Sequence, residues 1–445
     1  MRVVLVSTYD LGRQPFGLAS PAAWLRQAGI ETAAVDLSRD TLSPDTIGAA
    51  GLVAFYLPMH TATRLALPMI DRVRAINPSA TICAYGLYAP LNDTLLREHG
   101  VSVVLGPEAE AELVSLARLR SPESTERATA GPAPLARLNF IQPDRSGLPP
   151  LDRYARLVMP DGSRKIVGAT DATRGCKHRC RHCPIVPVYD GQFRVVPVAV
   201  VLADVRAQVG QGAGHVTFGD PDFFNGPTHA SRILGALHEE FPSLTYDVTI
   251  KVEHLLAHRS LLPLLARTGC LFVTSAVESV DDAVLGHLEK GHTRADFIEA
   301  ARLCREAGLT LSPTFVAFTP WTTVDGYADL LDVVEALDLV GHVAPVQWGI
   351  RLLVTWQSRL LELADIARLV GAFDRKTLTF PWRHPDPRVD DLQRQVMGLA
   401  GTGVGRSRHD TFAAVRALAQ PASAPPFDPP LARTEVPYLD EPWYC

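Results

Sequence analysis

The chain has 445 residues, too many for one ordinary hydrophobic core, so at least two domains are expected. Lys and Arg total 43 against 48 Asp and Glu, a formal charge of -5. That balance argues against an electrostatic grip on nucleic acid or an anionic membrane and leaves a small molecule as the expected partner. Met1-Arg2 runs straight into a short apolar segment with no charged-then-apolar leader, and no apolar run approaches the ~20 residues of a membrane helix. The expectation is a soluble, cytoplasmic protein.

From residue 2 to about 119, short β-rich runs (RVVLVST, TAAVDL, LVAFYLP, TICAYG, VSVVLG) alternate with amphipathic helical stretches. Five β/α units predict a doubly wound, Rossmann-like α/β domain over 1–120. Ser20 before Pro21 and Ser43 before Pro44 suit helix starts, and Gly29 and Gly100 suit helix ends. Residues 121–164, rich in Pro, Ser, Arg and Ala without a period, read as a linker and a strap into the next domain. A second series follows over 165–372, with strands expected at 165–170, 215–220, 246–252, 271–279, 310–318 and 342–350. Six strands with intervening helices suggest a partial (β/α)6, TIM-like barrel, whose chemistry belongs at the C-terminal strand ends. Residues 373–445 form a Pro-rich, irregular C-terminal extension with a helical stretch or two and a tail that no packed core would require.

Seven cysteines are an odd number, and three of them crowd into eight residues, unlike a secreted disulfide framework. Cys83, Cys270 and Cys304 lie in apolar or amphipathic contexts and read as packing residues. The crowded three stand in the loop after the first strand of the second series: Arg174-Gly175-Cys176-Lys177-His178-Arg179-Cys180-Arg181-His182-Cys183-Pro184. Thiolates in a C-x3-C-x2-C spacing can hold three irons of a cubane and leave the fourth open as a substrate site. Arg174, Lys177, Arg179 and Arg181 are expected to lower the thiol pKa values. The competing reading is structural zinc with His178 or His182 as fourth ligand, although zinc more usually takes paired CxxC units.

This loop resembles the signature of the radical S-adenosylmethionine (SAM) superfamily. The resemblance implies a [4Fe–4S] cluster on Cys176, Cys180 and Cys183, with SAM chelated at the open iron and cleaved reductively to a 5'-deoxyadenosyl radical. The second strand ends in Phe218-Gly219-Asp220-Pro221-Asp222, similar to the family motif that contacts the methionyl amino group, with Asp220 where many members have Glu. An ordinary strand-to-helix turn is the alternative there. The stretches Ser275 to Leu285 and Glu289 to Thr293 are similar to one used near the ribose by family members with an N-terminal cobalamin-type domain; this implies Glu278, with Ser279 beside it, as the ribose acceptor. An acid at a helix start is the equal alternative, because Ser279 and Asp281 also read as cap material. Lys251 and Glu253 are expected to line the same mouth.

The first domain resembles the cobalamin-binding domain of the family's cobalamin-dependent branch and so implies possible cobalamin. The lower-ligand pattern Asp-x-His-x-x-Gly is absent after the first strand, where Ser7 to Gly17 contain no histidine. A corrin would face Tyr9, the Tyr56 to His60 loop and the Gly86-Leu87-Tyr88 loop; a degenerate lid domain is the alternative. The end, Glu441-Pro442-Trp443-Tyr444-Cys445, is similar to that of a group closing in Cys-Cys-Ala-Glu-Pro or its selenocysteine form, cut after the first of those residues. A selenocysteine codon read as a stop would produce that end. Cys445 is then a catalytic thiol: redox partner, holder of a thiophilic atom or hydrogen donor, with an idle exposed cysteine as the bland alternative.

Together these readings predict a radical SAM enzyme modifying a small metabolite or natural product, with methyl transfer as the leading outcome. Transfer of a 3-amino-3-carboxypropyl group to a thiophilic atom such as arsenic, and a non-catalytic iron–sulfur redox sensor, are the alternatives. A flavodoxin or ferredoxin is implied as electron donor. Thr314, Gln347, Trp348 and Arg351 are expected in the substrate pocket.

Overall fold

Five short strands of β-branched and small apolar residues build the first sheet: β1 (Val3–Ser7), β2 (Thr32–Asp36), β3 (Leu52–Tyr56), β4 (Thr81–Tyr85) and β5 (Val103–Val104). In this computed structural model, which describes residues 1–119, 138–402, 407–420 and 436–440, they pair in parallel in the order β2-β1-β3-β4-β5. Both faces are apolar, as an all-parallel sheet between helices requires. Val4, Val6, Val53 and Phe55 fill one core, while Val3, Leu5, Leu52 and Ala54 fill the other. Cys83 packs inside the second core, as expected.

Helix ends follow local chemistry with one exception. Ser43 caps its helix through Thr46 N, and Gly29 and Gly100 adopt left-handed backbone after their helices. Ser20 is no cap: the helix runs Phe16–Gln27 with Pro21 inside it. Pro21 has no N–H for the carbonyl of Gly17, and the buried Tyr85 hydroxyl donates to that carbonyl instead, at 2.7 Å. Ser20 Oγ is committed to Glu110 Oε1 at 2.7 Å.

The second sheet has seven strands in the order β13-β12-β11-β10-β7-β6-β14. Its parallel portion is β7 (Arg164–Thr170), β10 (His215–Phe218), β11 (Thr245–Thr249), β12 (Cys270–Glu278) and β13 (Thr310–Phe315). Two antiparallel strands, β6 (Arg156–Val158) and β14 (Tyr438–Leu439), extend one edge. A separate ribbon, β8 (Thr173–Gly175) with β9 (Phe193–Val195), brackets the cysteine loop. Curled about a core that includes Val216, Phe218, Val248, Val273 and Phe315, the parallel portion is a half-barrel. Cys270 and Cys304 belong to that core, as expected.

Two expectations are corrected. Residues 342–350 are not a sixth strand: they form 3-10 turns at Val340–His342 and Pro345–Gly349. Pro345 can donate no ladder hydrogen bond, and the Gln347 side chain accepts from Phe315 N at 2.9 Å, meeting by itself the donor a sixth strand would have met. Among the described residues, a single bridge, Phe318 to Arg351, continues the curl. The extension is also not wholly dispensable, because Tyr438 and Leu439 pair with Val158 and Leu157. Cys445 and the tail from 441 lie outside the described residues.

The strap is built into the joint between the sheets. Arg145 is buried, with an ion pair to Asp204 at 2.8 Å and hydrogen bonds to Gln14 Oε1 and Ala169 O. No helix among the described residues is long and apolar enough to cross a membrane.

Candidate active site

The cysteine loop starts at the C-terminal end of β7 and is held from below by glycine geometry. Gly175 has φ +79°, and a Cβ there would lie 2.5 Å from the Tyr189 ring and 2.6 Å from Gln192 O. Asn225, after β10, straddles the first cysteine: its Nδ2 donates to Gly175 O at 3.2 Å and its Oδ1 accepts from Lys177 N at 3.3 Å. Cys176 and Cys180 are buried, Cys183 is half-buried, and the three thiols interact with one another.

The loop cations do not do what their sequence positions suggest. Burial pushes the Cys176 thiol up to about 11 and the Cys183 thiol up to about 12. Arg174 turns away to Glu110 at 2.7 Å, Arg179 to Asp190 at 3.1 Å, and Arg181 to Glu289 and the His287 carbonyl. The cations that oppose the rise come from other elements: Lys251 for Cys176 and Lys290 for Cys183. Desolvation outweighs them, so binding a metal must expel the thiol protons.

Around the three cysteines stand two buried charge clusters. In the first, Glu278 Oε1 lies 3.1 Å from His182 Nε2 and 3.2 Å from Lys290 Nζ. Glu278 has φ +69°, at a register shift that ends the β12–β13 pairing, and this conformation turns its side chain to the loop. Although burial acts against its charge, Lys290 and His182 hold its carboxyl down to about 2. Asp281 caps the helix Asp282–His287, and Ser279 Oγ accepts from Asp281 N at 3.1 Å. The capping work therefore falls to Ser279 and Asp281, leaving Glu278 for the mouth.

The second cluster holds Asp222, fully buried, whose Oδ2 lies 3.1 Å from His178 Nε2 and 2.6 Å from His254 Nδ1. Both histidines favour its charged form, and its carboxyl stands near 2. Glu253 Oε2 lies 3.5 Å from His178 Nδ1 and 3.3 Å from Lys251 Nζ. Gly291, at φ +75°, leaves room there, since a Cβ would meet Glu253 Oε2 at 2.7 Å.

Sequence reasoning singled out Asp220, but Asp222 is the carboxylate of this strand end that acts on Cys176. Asp220 is buried beneath β8, accepting from Ala172 N at 2.9 Å and Thr173 Oγ1 at 2.5 Å, with its carboxyl raised to about 7 chiefly by burial. Gly219 next to it is closely approached: a Cβ would come 2.5 Å from Asp171 Oδ1 and 3.4 Å from Arg13 Nη1. Asp222, His254 and Asn225 were not chosen from sequence; His178 and His182 entered only as alternative zinc ligands, and Lys290 only as part of the stretch similar to the ribose-side one. The charged or amide residues in Asp-x-x-Asn after β10 and Glu-Lys-Gly-His after β12 were the signals available. Of the expected pocket residues, Gln347 and Trp348 are buried in the fold, and Arg351 pairs with Asp390 at 2.6 Å and lies over the Trp382 ring.

A cavity of about 250 Å³ separates the two sheets. Asp10, Arg13, Tyr56, Met59 and Leu87 line it from the first sheet, and Asp171, Gly219 and Tyr189 from the second. No hydrogen bond reaches the side chains of Asp10, Arg13 or Asp171 among the described residues, and burial raises the Asp10 carboxyl to about 7. Tyr56 sits where a Gly17 Cβ would be, 2.1 Å from its ring. His60 Nε2 is 2.6 Å from Thr377 O.

Residues 171–337 match the family model described as the Radical SAM superfamily. The tRNA-2-methylthio-N(6)-dimethylallyladenosine synthase of Hahella chejuensis is 23% identical over 339 residues, covering 68% of this chain and 71% of that protein. Further methylthiotransferase relatives are spanned over 34% to 55% of their length. Among solved structures, the cobalamin-dependent SAM radical enzyme OxsB with aqua-cobalamin and SAM bound aligns with TM-score 0.68 at 14% identity, covering 91% of this chain and 67% of that one. The radical SAM methyltransferase TsrM from Kitasatospora setae, with tryptophan and a SAM analog bound, aligns with TM-score 0.62 at 20% identity, covering 76% and 71%. At these identities the likeness is one of fold.

Proposed function

We propose, from the premise that residues 171–337 are a radical SAM domain, that this protein methylates a small molecule using SAM, a [4Fe–4S] cluster and cobalamin. The observation that carries the reading is the loop itself: three mutually adjacent cysteines, two buried and one half-buried, at the C-terminal end of the first half-barrel strand, faced by Lys251 and Lys290. Three thiolates add three negative charges to a buried space, and two lysines there offset part of that charge.

The donor set fits the cluster: Cys176, Cys180 and Cys183 would hold it and leave one iron open. When bound, it supplies one electron to SAM and a chelation point for the methionyl amino and carboxylate groups. The protein's own work is positional. Asn225 fixes the loop, Glu278 is held ionised with its acceptor oxygens at the mouth, and Lys251 places a cation beside Cys176. In this reading Glu278 receives the ribose hydroxyls and Gly219 admits backbone approach by the methionyl end.

Cobalamin fits by position and by chemistry. The cavity lies at the carboxyl ends of a 2-1-3-4-5 sheet, where such folds bind ligands, and its uncommitted acids, arginine and tyrosine suit an amide-rimmed ring. Asp10, Arg13, Tyr56, Met59 and Leu87 would hold it, without His60, whose ring is spent on Thr377. At about 250 Å³ the cavity is smaller than a corrinoid, so the loops bearing Arg13 and Met59 must part to admit it. A flavodoxin or ferredoxin supplies the electron.

The test is anaerobic reconstitution with iron, sulfide and hydroxocobalamin, then reduction with SAM and mass analysis of the nucleosides. S-adenosylhomocysteine with 5'-deoxyadenosine supports the reading; methylthioadenosine would replace it with aminocarboxypropyl transfer.

A further inference from the structure

We propose that His178, Asp222 and His254 form a second metal site, separate from the cysteine triplet, that takes one divalent ion of the zinc class. Two imidazoles and a carboxylate are a borderline-soft, mixed N/O donor set that suits such an ion. Their ligand atoms all lie within 4.8 Å of one another. In a tetrahedral site, metal bonds of ~2.0–2.2 Å place neighbouring ligands about 3.3–3.6 Å apart; Asp222 Oδ2 lies 3.1 Å from His178 Nε2 and 2.6 Å from His254 Nδ1, so a small rotation of the His254 ring opens the set to an ion.

The geometry favours a shared ion over a plain hydrogen-bonded triad. His254 Nδ1 is buried and, despite the 2.6 Å approach, has no aligned hydrogen-bond partner. Two lone-pair atoms so close and not aligned donor to acceptor are satisfied together by a cation. Two of the three ligands have their outer atoms placed by neighbours, as metal ligands require. Asp222 Oδ1 accepts from Phe224 N at 3.1 Å, and Glu253 Oε2 stands 3.5 Å from His178 Nδ1, fixing which ring nitrogen faces inward. Charge agrees: Asp222 and Glu253 bring two negative charges against the single positive charge of Lys251.

The consequence is mechanical. His178 lies between Cys176 and Cys180, Asp222 follows β10, and His254 lies on the helix Val252–Ala257 that follows β11. One ion would staple the cysteine loop to the ends of two strands. This site stands whether or not the cysteines perform SAM chemistry.

The experiment uses full-length, cluster-loaded protein, chelator-washed and dialysed anaerobically against micromolar Zn2+, with elemental analysis and zinc-edge X-ray absorption. One zinc per chain is expected beyond the cluster iron, with a nitrogen and oxygen shell at ~2.0–2.1 Å and no sulfur. His254→Phe is expected to lose that zinc while keeping the iron content and the cluster absorbance. Absence of zinc from the cluster-loaded protein, retention of zinc by His254→Phe, or sulfur ligands at ~2.3 Å would each overturn the site. The SAM-cleavage assay is separate, so a failed zinc site leaves the radical reading standing, and the reverse.

Discussion

The mouths of the two sheets spend their charges in opposite ways. At the half-barrel, Glu278 is matched by Lys290 and His182, and Asp222 by two histidines, so both acids are held near 2. At the first sheet, Asp10, Arg13 and Asp171 face a cavity with no side-chain hydrogen bonds among the described residues, and burial lifts Asp10 to about 7. The lesson is that one mouth sets its acids against cations and imidazoles of the chain, whereas the other is left open for something that brings its own polar groups.

Four changes test that contrast, in falling order of effect. Replacing Cys176, Cys180 and Cys183 together with Ala should abolish iron binding and SAM cleavage, read as iron per chain and nucleoside yield. Lys290→Met strips a buried pair of one partner and should cost about 3–5 kcal/mol in denaturant unfolding, with weaker SAM binding by calorimetry. Asn225→Ala removes two hydrogen bonds across Cys176 and should cost about 1–3 kcal/mol, seen as iron lost during gel filtration rather than as misfolding.

The fourth is a pH effect. Asp10 and Asp220 have folded values near 7 against an ordinary value near 4, so the folded state holds their protons more tightly than the unfolded chain. Their contribution is fully present below about pH 4 and is lost as pH rises to 7. The melting temperature of the cluster-free protein should therefore fall by a few degrees from pH 5 to pH 8, and Asp10→Asn should flatten that slope. An unchanged slope would mean that Asp10 is already paired, and the contrast between the mouths would narrow.

Much of this was legible in the sequence where local pattern decides structure. Alternating β-branched runs gave ten of the eleven expected strands, with the 246–252 and 310–318 runs ending early and 342–350 failing. A glycine–cysteine spacing located the site. What escaped was set by partners distant in the chain. Ser20 lost its cap role to Glu110, 90 residues away, and Lys290 approaches Cys183 from beyond β12. Asp222 and Asp220 stand two positions apart with the same chemistry, and only the turn into Phe224 decides which one faces the cysteines. Charge within a loop was also a poor guide, because Arg174, Arg179 and Arg181 all leave the thiols for other acids.

Arg174 carries one more consequence. Two residues before the first cysteine, it reaches across the joint to Glu110 and lies over the rings of Phe16 and Phe140, all from outside the half-barrel. Severed from residues 1–119, the half-barrel would lose the Glu110 and Phe16 partners of Arg174 beside its cysteine loop, keeping Asp171 and Phe140 near that guanidinium. The two halves are therefore not interchangeable cassettes: a chimera on a foreign front domain would have to import an acid and an aromatic at those same two places to keep its cysteine loop in register.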